Sequence, residues 1–187
     1  MNIDPATAAH TRGWPDAFEI AGLRATPLAD DDADLFAALY GDPATMRHVG
    51  PALDSHPARR AFTAARRQMR GDPPAARYWR LDTATGADGL LSLVPDAAGC
   101  AAETGLLLPP ALQGQGVATA ALGHLRDAVF GAEAFDALWT RHRPGHAAAA
   151  GLMRRLGFVP EAPADGWQRW RLDRGTWRAL VGHPAGD

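Results

Sequence analysis

ETGLLLPPALQGQGVATAAL, residues 103–122, decides the fold and points to the chemistry. An apolar run, Ala102 to Leu108, reads as a strand that ends at Pro109 and Pro110. A short Gly-rich turn follows, and a helix begins near Gly116. Gly114 and Gly116 let a ligand approach the backbone without side-chain interference. The first N–H groups of a helix have no intrahelical partner, and the helix dipole favours negative charge there. A pyrophosphate fits such a turn. Two common phosphate motifs fit the residues poorly. A P-loop ends in Gly-Lys-Ser/Thr, and all 19 basic residues of this chain are Arg. A dinucleotide fingerprint needs a third Gly, where Thr119 stands.

Working outward, Phe18 to Thr26 alternates and reads as a first strand. A helix over Asp30 to Tyr40 stops at Gly41 and Pro43. A second helix runs from Ser55, as N-cap, to Arg70, with Phe62, Ala65 and Met69 as its apolar stripe and an Arg-rich solvated face. Arg77 to Asp82, Gly89 to Val94 and Ala102 to Leu108 then read as a meander of three strands. The helix from Gly116 to Phe130 precedes a strand over Phe135 to Thr140 and an Ala-rich helix from Ala147 to Leu156. Trp167 to Leu172 reads as the last strand, with a short helical end over Thr176 to Leu180. The order β-α-α-β-β-β-α-β-α-β predicts a mixed α/β (α+β) fold around one central sheet.

The 187 residues suit one domain over 17–181, with an N-terminal arm over 1–16 and a fraying tail over 182–187. Hydrophobic residues at 47% and charged residues at 21% are ordinary globular composition. A net charge of −2 does not suit a nucleic-acid binder. No apolar run suits a transmembrane helix and no secretory signal is expected, so neither is membrane partnership. Cys100, the single cysteine, excludes an internal disulfide framework and a multi-cysteine zinc site, which suits a reducing cytoplasm. His142 and His146 are four apart, but Pro144 and Gly145 between them argue against a shared helix and a metal site.

Gln113-Gly114-Gln115-Gly116-Val117-Ala118 also meets the pattern Q/R-x-x-G-x-G/A. It resembles the acyl-CoA pyrophosphate loop of the GNAT N-acetyltransferase superfamily. Leu156-Gly157-Phe158 resembles the family's terminal Leu-Gly-Phe. Residues 23–50, LRATPLADDDADLFAALYGDPATMRHVG, are similar to the opening of the ribosomal-protein alanine N-acetyltransferase branch. The resemblance covers residues 20–180 and implies a mixed sheet of about six to seven strands with about four helices.

By that resemblance, the cosubstrate is acetyl-CoA or another acyl-CoA, and the acceptor is a primary amine on a protein, peptide or small molecule. The backbone from Gly114 through Gln115, Gly116, Val117 and Ala118 to Thr119 would hold the pyrophosphate, with Gln113 opening the loop. The edge of Leu106, Leu107 and Leu108 would pair with the pantetheine arm and hold the thioester carbonyl. Glu103 is the expected base, acting through water. His146 replaces a common Asn and is expected against the cofactor. His48 and Trp79 are expected at the acceptor, with Tyr78 the alternative to Trp79, while Trp139 and Trp170 are expected in the core. Ala149 and Met153 stand where relatives often carry Ser and Tyr, so neither common proton donor is present. A catalytically silent acyl-CoA-binding module is therefore the competing expectation. No metal is expected, and the chain would be a monomer or homodimer.

Overall fold

The computed structural model describes residues 13–83, 86 and 88–182. Residues 1–12 of the arm expected over 1–16, and 183–187 of the tail expected over 182–187, lie outside them. An eight-stranded sheet forms the centre, in the order β1-β2-β3-β4-β5-β6-β8-β7. Its strands are β1 (Phe18–Ile20), β2 (Leu23–Pro27), β3 (Arg77–Thr83), β4 (Asp88–Pro95), β5 (Ala101–Leu107), β6 (Ala137–His142), β7 (Val159–Pro160) and β8 (Gln168–Asp173). All neighbours are antiparallel except β5 and β6.

The count exceeds the six or seven strands expected for two reasons. Phe18 to Thr26 is not one strand but a hairpin, because Ala21 and Gly22 turn at φ 50° and 75°. The two-residue β7 is too short to show periodicity. The helices are α1 (Ala33–Gly41), α2 (Pro43–Met46), α3 (Ser55–Gln68), α4 (Val117–Gly131), α5 (Ala147–Arg155) and α6 (Arg174–Gly182). Asp30–Asp32 forms a 3-10 turn ahead of α1. The Gly41–Pro43 stop is also a start: Asp42 accepts from the N–H of Ala44 at 3.1 Å and of Thr45 at 3.0 Å and so caps α2. Asp54, rather than Ser55, occupies the N-cap position of α3.

Alternation along the strands gives the sheet two faces. On one, Trp79, Leu91, Leu93, Leu138, Trp170 and Leu172 pack against Leu125, Val129 and Phe130 of α4 and Leu152 and Met153 of α5. On the other, Leu90 and Leu107 meet Phe36 and Leu39 of α1 and Phe62 and Ala65 of α3. Arg80 ties the turn before α1 to this second face, contacting Asp32 at 3.2 Å, Asp82 at 2.6 Å and Asp88 at 3.0 Å. On α3, Arg66 reaches Asp30 at 2.9 Å and Arg59 reaches Asp34 at 3.3 Å, while Arg60, Arg67 and Arg70 face solvent. At the N-terminal end Trp14 is buried against Phe135, and Asp16 pairs with Arg77 at 2.8 Å. Residues 14–16 are therefore docked. Among the described residues no helix is long and apolar enough to cross a membrane.

Candidate active site

The parallel ladder between β5 and β6 covers only Ala101–Glu103 against Ala137–Trp139. Beyond Glu103 the strands part. Strand β5 continues on β4 through Leu107, and β6 continues on β8 through His142. The backbone groups of Thr104 to Leu107 that point toward β6 are thus left without a strand partner, among the described residues. A cleft of about 1260 Å³ opens there. Its walls are Glu103 to Leu108, Thr140 to His142, the start of α4, the α5 segment from Ala147 to Met153, the loop from Arg47 to Val49, and Trp167.

The loop before α4 forms one mouth. Gly114 and Gly116 adopt φ 76° and 81°, in the left-handed region that favours glycine, and a Cβ at either would project into open space. The first helical bond runs from Ala120 N–H to Gly116 C=O at 3.0 Å. Among the described residues no side chain caps the helix. The N–H groups of Val117, Ala118 and Thr119 therefore remain free for an anion. The loop is braced from behind. Leu112 is buried, Gln113 donates to Leu108 C=O at 3.0 Å, and Gln115 donates to Ala111 C=O. Gln113, Gly114, Gly116, Ala118 and Thr119 line the cleft; the Gln115 and Val117 side chains do not, and Val117 packs on the core.

Glu103 stands at the fork, on the sheet face opposite α4 and α5. Its Oε1 lies 3.2 Å from Arg141 Nε. Burial holds its carboxyl above the usual value, and the Arg141 and Arg169 guanidiniums oppose that rise. Tyr40 lines the same mouth, stacked on Phe36 at 4.4 Å. Burial, then the neighbouring Tyr78, pushes its hydroxyl up to about 12, so it stays protonated at physiological pH.

Three histidines roof the cleft. The His48 ring stacks on His146 at 4.1 Å, and His142 meets His146 edge-on at 5.6 Å. His142 Nε2 accepts from Trp170 Nε1–H at 2.9 Å. Its proton therefore sits on Nδ1 and is donated to Arg143 C=O at 2.8 Å. Burial, then His48, His142 and Arg47, lowers His146 to about 4, so His146 is neutral at pH 7. Arg143 N–H donates to His48 C=O at 3.1 Å and fastens the loop after α2 to the end of β6. Among the described residues no group of three or more His, Cys, Asp or Glu is arranged to hold a metal ion.

The expected residues separate accordingly. Glu103, Leu106, Leu107, Leu108, the α4 loop, His48 and His146 are brought to one cleft. Trp79 is not: it is fully buried, and its Nε1–H donates to Asp16 C=O at 3.1 Å, so it belongs to the core instead of the acceptor groove. Tyr78 faces α3 and donates to Gln68 Oε1 at 2.9 Å. Trp139, expected in the core, is half-exposed, with Arg169 4.1 Å and Arg141 5.9 Å from its ring. Trp170 is buried as expected. Tyr40, Arg47, Arg141 and Trp167 line the cleft without having been singled out in the sequence. The Trp/Arg alternation of WTRHR and WQRWR was the available signal for two of them.

The sheet forks between its two parallel strands, and an uncapped helix N-terminus stands at the fork. Residues 23–159 match the family model of the acetyltransferase (GNAT) domain, and the chain belongs to that family. Among solved structures it is similar to a spermidine N-acetyltransferase from Vibrio cholerae in complex with CoA and spermine, at 17% identity and a TM-score of 0.71, covering 84% of this chain and 99% of that one. It is also similar to a ribosomal L7/L12 alpha-N-protein acetyltransferase in complex with coenzyme A, at 15% identity and TM-score 0.69, covering 82% and 95%. An acetyltransferase from Agrobacterium tumefaciens gives 22% identity and TM-score 0.68, covering 83% and 93%. No curated protein matches the sequence.

Proposed function

We propose that the chain is an N-acyltransferase that moves an acetyl group from acetyl-CoA to a primary amine by direct attack in a ternary complex. The observation that carries this reading is the fork, which joins a free helix N-terminus at one mouth to Glu103 at the other. The open space beside Gly114 and Gly116 fits a pyrophosphate, and the unpaired edge of Thr104 to Leu107 fits an amide-bearing arm and a polarised carbonyl. The cosubstrate supplies the activated acyl thioester. The amide N–C bond forms as the thioester C–S bond breaks and the sulfur leaves as thiolate. The proton lost by the amine passes through water to the Glu103 carboxylate. A peptide α-amine titrates near 8, so a modest base suffices. A thiol titrates near 8.5, so its thiolate can leave without the hydroxyl donors that Ala149 and Met153 lack. Cys100 is an exposed free thiol, which suits a cytoplasmic setting.

Ala149 and Met153 favour a second reading, a silent acyl-CoA-binding module. Calorimetric titration with acetyl-CoA, followed by thiol release with an amine panel, separates the two. Binding with turnover supports the transferase, and binding without turnover supports the module. Gly116→Val should weaken acetyl-CoA binding by about 100-fold, because the side chain strains a left-handed position and fills the anion's space. Unchanged affinity in a folded variant would sink the loop assignment.

A further inference from the structure

The acceptor mouth carries a charge opposite in sign to that of the whole chain. The chain holds 21 acidic and 19 basic residues, yet among the described residues lining the cleft Glu103 is the sole acidic one. Its charge is already opposed by Arg141 at 3.2 Å. Arg47 also lines the cleft, and among the described residues its only polar side-chain partner is His48 Nε2, at 3.4 Å. Arg143 lies 4.1 Å over Trp167, a cleft-lining residue, and donates to Gly166 C=O at 3.2 Å, with no carboxylate partner among the described residues. Arg169 adds a fourth cation over Trp139, and Glu161 at 3.1 Å answers it. Four arginines thus face two carboxylates. Away from the cleft, Arg80 meets three aspartates and Arg174 meets Glu133 and Asp136, while Arg60, Arg67 and Arg70 stand on the solvent face of α3.

These cations are not all explained by cosubstrate phosphates. Arg141 and Trp139 alternate with Thr140 and Leu138 on β6, and Leu138 packs in the α4 and α5 core. Arg141 therefore stands on the opposite sheet face from the bare N-terminus of α4. On the α5 side, Arg155 lines the cleft separately.

We propose that the acceptor is an anionic amine, with one or more carboxylates in the same molecule close to the nucleophilic nitrogen. Free acidic amino acids and peptides with acidic residues after the N-terminus share this chemistry. The inference rests on the transferase reading. Arg47 and Arg143 hold the acceptor carboxylate by charge-assisted bonds, and Trp167 gives the Arg143 guanidinium a flat face that fixes its direction. Glu103 is left to receive the proton. A polyamine finds no uncompensated carboxylate here and meets like charge.

The test uses the full chain, acetyl-CoA and matched acceptors: peptides beginning Ser-Glu-Glu or Ser-Gln-Gln, free glutamate, and spermidine. Thiol release should give the acidic peptide a kcat/KM at least about tenfold above its neutral twin, with spermidine lowest. Arg47→Ala and Arg143→Ala should bring the acidic-to-neutral ratio toward one, as should about 0.5 M salt. If free glutamate outruns the acidic peptide, the acceptor is a small molecule and the charge rule stands. Equal use of the neutral peptide, better use of spermidine, or a ratio that survives both variants overturns the inference while leaving the transferase reading intact. No acetyl-CoA binding in calorimetry removes both. If acetyl-CoA binds but nothing turns over, tryptophan fluorescence of the CoA-loaded protein decides: tighter binding of the acidic peptide supports the charge rule, and equal binding refutes it.

Discussion

Trp139 and Trp170 lie on adjacent, paired strands, one register step apart, and do opposite work. Thr140 pairs with Trp170 and Trp139 with Arg171, so the two indoles point to opposite faces of the sheet. Trp170 is 2% exposed, packed among core residues, with its N–H given to His142. Trp139 is half-exposed and held between guanidiniums. In the β2–β4 half of the sheet, α4 lies under one face and α1 and α3 cover the other. In the β6–β8 half, among the described residues, only the face toward α4 and α5 is closed. The difference teaches that one sheet face secures the fold throughout, and the other changes from covered core to open surface at the fork.

The sharpest way to break the comparison is Trp170→Ala. A large buried aromatic should cost about 3–5 kcal/mol in urea unfolding. The truncation also leaves His142 Nε2 without its donor, which adds to the loss. A cost below about 1 kcal/mol would mean that the closed face is not the one that secures the fold.

Next in size is the fork itself. Glu103→Gln should cut kcat by about 100-fold while acetyl-CoA binding persists. The wild-type rate should rise with pH along an acidic limb lying above the ordinary carboxylate value of 4.5, because burial raises the Glu103 pKa. Arg141→Ala removes a cation that opposes the rise, so the limb should move to higher pH. Stability runs the other way. A raised folded-state pKa contributes stability that is present below 4.5 and lost as pH climbs through the folded value. Glu103→Gln cannot ionise and escapes that loss, and the pair it breaks with Arg141 is half-exposed and weak. Its Tm at pH 7 should therefore not fall. A lower Tm with unchanged kcat would make Glu103 a structural residue.

The α4 loop was legible in the sequence because two glycines and a helix start are local features, readable within six residues. Side-chain direction was less so. Tyr78 and Trp79 alternate on β3, but helices cover both faces of that strand, so alternation alone does not say which residue meets the deeper core. Trp139 departs from its expected burial for the converse reason: apolarity suggests burial, while among the described residues no helix covers that face of β6. The hairpin at Ala21–Gly22 was hidden because Ala at φ 50° gives no turn signal. Arg47, Arg141 and Trp167 come from three distant segments, and only the fold assembles them. Their partnership is a long-range fact that no window of sequence contains.

The smallest expected effect sharpens the comparison most. Trp139→Ala removes a side chain of the same kind as Trp170 from the same pair of strands. On the open face it forfeits stacking with Arg169 and Arg141, interactions worth about 0.5–1 kcal/mol each where exposed. Part of that returns as the guanidiniums rehydrate, so the net cost in urea unfolding should stay below about 1 kcal/mol. The loss should appear instead in acceptor recognition, because Arg141 and Arg169 are freed to swing and the cationic surface loses its fixed geometry. On the proposed reading, in which acetyl-CoA would enter from the α4 side, KM for an acidic acceptor should rise severalfold and the Kd for acetyl-CoA should rise less. If Trp139→Ala destabilises the protein as much as Trp170→Ala does, both faces belong to the core and the asymmetry across the fork is lost.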